Sequence, residues 1–155
     1  MSISKYTTLE EALFSPTAER YGIINAPTRT DHVSNMRLFC EKMYDPLCDH
    51  FKVKLPYTSF YRNPEVNKKV GGSSTKSQHL TGQAMDICPR GINGISNADL
   101  FNYIKDNMPF DQLIWEFGNS TEPAWVHVSY SILQRRQILK AYKVNNTTKY
   151  DPLND

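Results

Sequence analysis

The sequence predicts an α+β fold, with helices in the first third and then a small, mostly antiparallel sheet crossed by one helix. Three observations predict it. Apolar residues recur at three- and four-residue spacing between Val33 and Phe51, the texture turns short, aromatic and β-prone after Lys54-Leu55-Pro56, and two apolar segments near the C-terminal third flank one polar turn. At 155 residues the chain has the length of one ordinary domain with a single hydrophobic core.

Taken in order, Thr8 with Glu11 resembles a capping box that opens a short helix through Leu13. Ser15-Pro16 reads as N-cap and first-turn proline of a second helix that ends near Gly22. A longer helix follows Thr30-Asp31, with Val33, Met36, Cys40, Met43, Leu47 and Phe51 on one buried stripe. Pro46 is expected to kink or split it, since proline lacks an N–H and crowds the preceding turn. Tyr57 to Tyr61 and Ala84 to Cys88 are strand candidates, and Ser96 to Met108 an amphipathic helix. Gln112 to Phe117 and Ala124 to Tyr130 make an antiparallel hairpin around the turn 118–123. Ile138 to Tyr142 is a strand or a helix; its period does not decide. The polar end, about 144–155, is expected to fray.

Composition excludes some classes of function. A net charge of +2 without a Lys/Arg run gives no nucleic-acid footprint, though it suits an anionic polymer such as a cell wall. The three cysteines, Cys40, Cys48 and Cys88, are an odd number without a CxxC pair, which argues against a disulfide scaffold and for a reduced compartment. The start, MSISKYTTLEEALF, lacks the apolar stretch of a secretory signal, and no run is long enough for membrane insertion. The expectation is synthesis in a cytoplasm without an exit signal of its own, so that a substrate outside would be reached only through delivery by something else.

Of the four histidines, His32 and His50 lack partner ligands in sequence and read as ordinary surface or boundary residues. His79 differs, because a glycine-containing turn separates it from Asp86, and Gly82 lets the chain fold back so that both converge. Strand alternation turns Ala84, Asp86 and Cys88 one way and Met85 and Ile87 the other. In the same way Val126 and Val128 enter the core and His127 faces away from it. Two imidazoles and one carboxylate with an open fourth position form a catalytic zinc set, in which the metal acidifies water and polarises a carbonyl. Spacing alone carries little weight here, because His-x6-Asp is common and a strand histidine more often makes one satisfied hydrogen bond.

Ser77-x-His79-x-x-Gly82-x-Ala84-x-Asp86, then Trp125-x-His127-x-Ser129, resembles the signature of the zinc D-Ala-D-Ala carboxypeptidase family. That family includes bacteriophage endolysins and shares its fold with the hedgehog signalling domain. Ser59-Phe60-Tyr61-Arg62-Asn63-Pro64, with Asn67 and Val70-Gly71-Gly72, resembles its arginine segment, and the part from Thr8 to Phe51 its small phage-type branch. The resemblance covers roughly residues 5 to 142 and implies one peptidase domain over 1–155, acting as a monomer. It implies Zn2+ held by His79, Asp86 and His127, with Arg62 binding the substrate's carbonyl or carboxylate and steadying an oxyanion. Ser77 is implied as a supporting hydrogen-bond donor that contacts the substrate side of the site.

For the general base the sequence departs from the family pattern: the acidic residue three positions before the last histidine is replaced by Ala124. Glu116, inside an apolar strand where an unpaired carboxylate is costly, and Glu122, in the turn, are the candidates, with Glu116 preferred. The function implied is hydrolysis of a peptide bond next to a D-amino acid in a peptidoglycan stem peptide, as carboxypeptidase or endopeptidase, in a phage lysis enzyme or a virion component. The alternatives are a zinc-stabilised module that binds cell wall without cutting it, and a structural phage protein with a vestigial site.

Overall fold

The computed structural model describes residues 1–71 and 74–153. Gly72, the last residue of the arginine segment, lies outside them, as do Asn154 and Asp155. The described residues form six α-helices and six strands, of which α5 (Pro64–Lys69) and β6 (Thr147–Pro152) are absent from the sequence reading and the others keep its order. Helix α1 is Leu9–Leu13, where the Thr8 hydroxyl accepts from the Glu11 amide, and α2 is Pro16–Tyr21, capped in the same way by Ser15 and closed by Gly22.

The long helix divides at a π-turn. α3 is Thr30–Phe39, the wide turn is Cys40–Tyr44, and α4 is Asp45–Phe51. Pro46 cannot donate to the preceding turn, and the wider winding just ahead of it, closed by Asp45 N–H to Cys40 O, makes room for its ring. Met36, Cys40, Met43 and Leu47 of the predicted stripe are fully buried, as are Tyr44 and Cys48 beside them, while Val33 and Phe51 at its ends are half-buried.

The sheet has the order β1-β2-β4-β3-β5-β6. β1 is Tyr57–Ser59 and β2 is Ala84–Ile87; between them lie α5, Pro64–Lys69, and a 3-10 turn over Gln78–Thr81. The crossing helix α6 is Asn97–Asn107, opened by a complete capping box of Ser96 and Asp99. β3, Gln112–Glu116, and β4, Trp125–Ser129, form the predicted hairpin. Gly118 is required in its turn: at φ +70° an added Cβ would lie 2.1 Å from the Glu122 carbonyl oxygen.

Ile138 to Tyr142 falls within a strand, β5, Gln137–Val144, which lies parallel to β3. The crossing loop before it is tied down by Asp111, whose buried carboxylate accepts from Arg135 and from Gln78. Against the rise that burial would cause, those hydrogen bonds hold the Asp111 pKa down to about 2. The expected frayed end is corrected: Thr147–Pro152 forms β6, paired antiparallel with β5 from Val144↔Thr147 to Leu139↔Pro152. Its polar composition reflects an exposed edge strand, which needs only backbone pairing and one face against the protein.

One face of the sheet packs through Met85, Ile87, Leu113, Val126 and Val128 on the helices, completing the core with Phe39, Tyr44, Phe60 and Leu100. The opposite face carries the chemistry. No described helix is long and apolar enough to cross a membrane.

Candidate metal centre and groove

Alternation along β2 and β4 places Asp86 and His127 side by side, as Cα partners, on the face away from the core. His79 reaches them from the 3-10 turn. Gly82 ends that turn at φ +76°, and an added Cβ there would lie 2.7 Å from the His32 carbonyl oxygen and 2.8 Å from Met36 Cγ. The turn therefore sits directly against α3, and this contact fixes the height of His79 above the sheet. It also buries His32, whose ring lies 5.4 Å from that of Tyr61. The expectation of a surface or boundary position for His32 is thereby corrected. His50 is exposed and stacks on Tyr103.

One donor atom from each of His79, Asp86 and His127 lies within 4.8 Å of the others, and all three residues are buried. His79 Nδ1 is 2.7 Å from the Phe60 carbonyl oxygen. A carbonyl only accepts, so Nδ1 carries the proton and Nε2 presents a lone pair. Burial pulls the His79 pKa below its ordinary value, which keeps the ring neutral. Its Nε2 then faces Asp86 Oδ1 at 3.2 Å, while His127 Nδ1 faces the same oxygen at 3.1 Å. A lone pair set against a carboxylate oxygen is unfavourable unless a cation stands between them. The spacings are close to the edge of a zinc tetrahedron, about 3.3 Å for bonds of about 2.0 Å. The donor set fits a divalent metal of the zinc type, and the Phe60 carbonyl supplies the outer hydrogen bond that orients a ligating histidine. Burial alone would raise the Asp86 carboxyl; the His79 and His127 rings outweigh it and hold its pKa well below the carboxylate range.

Arg62 stands beside this cluster. Its side chain is only 12% exposed, its Nε donates to Asn67 Oδ1 at 3.2 Å, and its Nη1 lies 3.4 Å from Ser59 Oγ and 4.0 Å from Asp86 Oδ2. Its own amide donates to the His79 carbonyl, so the arginine segment and the histidine turn are locked together. Ser77 does not direct a hydrogen bond at the cluster: its hydroxyl accepts from the His79 amide at 3.3 Å, capping the turn that carries His79.

The two glutamates separate cleanly in position. Glu122 accepts from the amides of Asn97 and Ala98 at 2.6 and 3.2 Å, so its carboxylate caps the first turn of α6 rather than being merely solvated. Glu116 shares the sheet face of His127, since Ile114 is the Cα partner of His127 and Glu116 lies two residues further along β3. It is 7% exposed, and burial, with Asp86 adding to it, pushes its pKa up to about 7.

That pKa has a measurable consequence in metal-free protein. The folded state holds a proton on Glu116 that the unfolded chain releases near 4.5, so the stability tied to this group is full below pH 4.5 and is lost as pH rises through 7. Glu116→Gln removes the penalty. In chelator, it is expected to match wild type in urea unfolding at pH 4.5 and to be up to about 3 kcal/mol more stable at pH 8. Parallel pH profiles for the two proteins would contradict the buried, proton-holding carboxyl.

Arg62, Ser77, His79, Asp86, Glu116 and His127 all line one groove of about 610 Å³, within the ordinary range for ligand sites. Trp125, to which the sequence assigned no role, lines it as well, whereas Trp115 packs on Phe101 and Tyr61 is buried. The far wall is missing from the sequence reading: Leu139, Lys143, Thr148 and Tyr150 come from β5 and β6. Their parity places them there once β5 is known to lie against β3, but no local signal announces that pairing.

An α+β fold that sets a buried His-Asp-His cluster, an arginine and a carboxyl in one groove has the parts of a metal-assisted hydrolase. Residues 5–129 match the family model described as Peptidase M15, and the chain belongs to that peptidase family. Among curated proteins no relative matches the chain.

Proposed function

We propose that this protein is a zinc metallopeptidase that hydrolyses peptide bonds next to D-amino acids in peptidoglycan stem peptides. The observation that carries the reading is the convergence of His79 Nε2 and His127 Nδ1 on one Asp86 oxygen, at the floor of a groove that also holds Arg62 and Glu116. His79, Asp86 and His127 are the ligands in this reading. Zinc held there would supply Lewis acidity, acidifying the attacking water and polarising the scissile carbonyl.

The remaining work falls to two side chains. Glu116 accepts a proton from the attacking water and returns it to the leaving nitrogen as the C–N bond breaks, so the elements of water are divided between the acyl and amine products. A pKa near 7 suits both halves of that exchange. Arg62, held in place by Asn67 and Ser59, donates to the oxygen on which negative charge develops. The peptide class rests on the family, and the D-residue and cell-wall specificity rest on the motif resemblance, as does a role in phage lysis or in wall penetration by a virion.

Digestion of purified cell walls by the zinc-loaded protein tests the reading, with the released termini identified by mass spectrometry. New amino and carboxyl termini at bonds flanking D-residues are expected; walls left without new termini would overturn it. In the same assay Arg62→Lys should lower turnover by roughly ten- to a thousand-fold at unchanged zinc content, because an ammonium keeps the charge but not the planar fork. Wild-type rates in that variant would remove Arg62 from the reaction.

A further inference from the structure

The family-matched segment ends at residue 129, yet the groove continues beyond it onto β5 and β6. Register defines what stands there. Trp125, Glu116, Ala141 and Tyr150 are successive Cα partners across β4, β3, β5 and β6, so they form one row on one face of the sheet. Ala141 is fully buried and carries only a methyl group, which leaves the Tyr150 ring free to lean over it toward Glu116. With strands about 4.8 Å apart, Tyr150 starts roughly 10 Å from Glu116, and a tyrosine side chain spans more than half of that.

Tyr150 lines the groove yet stays 48% exposed, and none of the hydrogen bonds among the described residues uses its hydroxyl. Tyr142, on the other face of β5, uses its hydroxyl to bond Asp151. Lys143, on the site face with Thr148 as its partner, adds a cation at the same end, its Nζ 5.7 Å from the Phe117 ring. Partial burial, and after it the nearby Glu116 and Asp86, raises the Tyr150 pKa, so the phenol remains a donor.

We infer that the β5–β6 hairpin forms a substrate subsite in which the Tyr150 hydroxyl donates to a carboxyl-group oxygen of the residue bearing the leaving amine. Across the sheet the order is Arg62, the histidine–aspartate cluster, Glu116 and then Tyr150, so Tyr150 stands beyond the group that protonates the leaving nitrogen. The oxygen it meets is a free carboxylate in a terminal residue or an amide carbonyl in an internal one. Both accept a phenolic hydrogen bond, and the carboxylate would gain in addition from Lys143. This inference rests on the peptidase reading above.

The test compares zinc-loaded wild type, Tyr150→Phe and Tyr150→Ala on the soluble stem peptide identified as cleaved in the wall digest, free or amidated at its C-terminus. Tyr150→Phe should raise KM roughly three- to ten-fold with kcat within about two-fold, and weaken inhibition by the amine product by the same factor. Zinc content and unfolding temperature should stay those of wild type. A larger effect on the free acid than on the amide assigns the contact to a terminal carboxylate; equal effects assign it to an internal carbonyl. Unchanged KM in both variants, or weakened inhibition by the acyl product instead, overturns the inference while wild-type cleavage leaves the peptidase reading standing. Absence of wild-type cleavage overturns both.

Discussion

Glu116→Gln is expected to lower peptide turnover by roughly two to four orders of magnitude at unchanged zinc content. Glutamine keeps the length and one carbonyl oxygen of the side chain, so the groove, the row through Ala141 and the strand pairing survive. It cannot accept the proton of the attacking water, and among the described residues that step has no second carboxylate ready in the groove. Asp86 is engaged by both imidazoles, Asp111 by Arg135 and Gln78, and Glu122 by the first turn of α6. A residual rate is expected, because carbonyl polarisation and Arg62 remain. Glu122→Gln should behave in the opposite way: it weakens the α6 cap by about 0.5–2 kcal/mol and leaves the rate within a few-fold of wild type. Stability profiles and rate profiles of these two variants are therefore expected to be exchanged, and a rate loss confined to Glu122→Gln would reverse their roles.

His127→Ala is expected to weaken zinc binding by at least about 100-fold and to abolish measurable turnover with it. The expectation follows from where β4 holds the ring. His127 sits between Val126 and Val128, both fully buried, so no neighbour on its strand can turn a substitute ligand toward Asp86. Among the described residues its buried Nε2 has no hydrogen-bond partner, while Nδ1 faces Asp86 and the ring packs edge-on against that of His79. Removing it deprives the cluster of one donor and Asp86 of one of the groups that favour its ionised form. The fold should persist, since the apolar face of β4 is untouched. Full zinc occupancy in His127→Ala would remove His127 from the ligand set.

The parts of this site readable in the sequence are those fixed by local rules. Asp86 and His127 face the groove because alternation in a strand has a period of two, and their neighbours Met85, Ile87, Val126 and Val128 are plainly core residues. The same parity brought Glu116 forward over Glu122. What local rules do not contain is contact across long stretches of chain. The hold of Glu122 on Asn97 joins elements 25 residues apart, and the burial of His32 depends on a turn that arrives from Gly82. The largest omission was β6. A polar edge strand looks like a loose end in sequence, yet its pairing with β5 brings Tyr150 to the groove.

The central claim is that a metal at His79, Asp86 and His127 supports hydrolysis of wall peptides. Chelator-stripped protein titrated with zinc, with new peptide termini released from purified walls followed at each addition, tests it most directly. The account predicts no cleavage by stripped protein and recovery in proportion to added zinc, up to about one equivalent per chain. Cleavage by metal-free protein at the zinc-loaded rate, or none at saturating zinc, would contradict it.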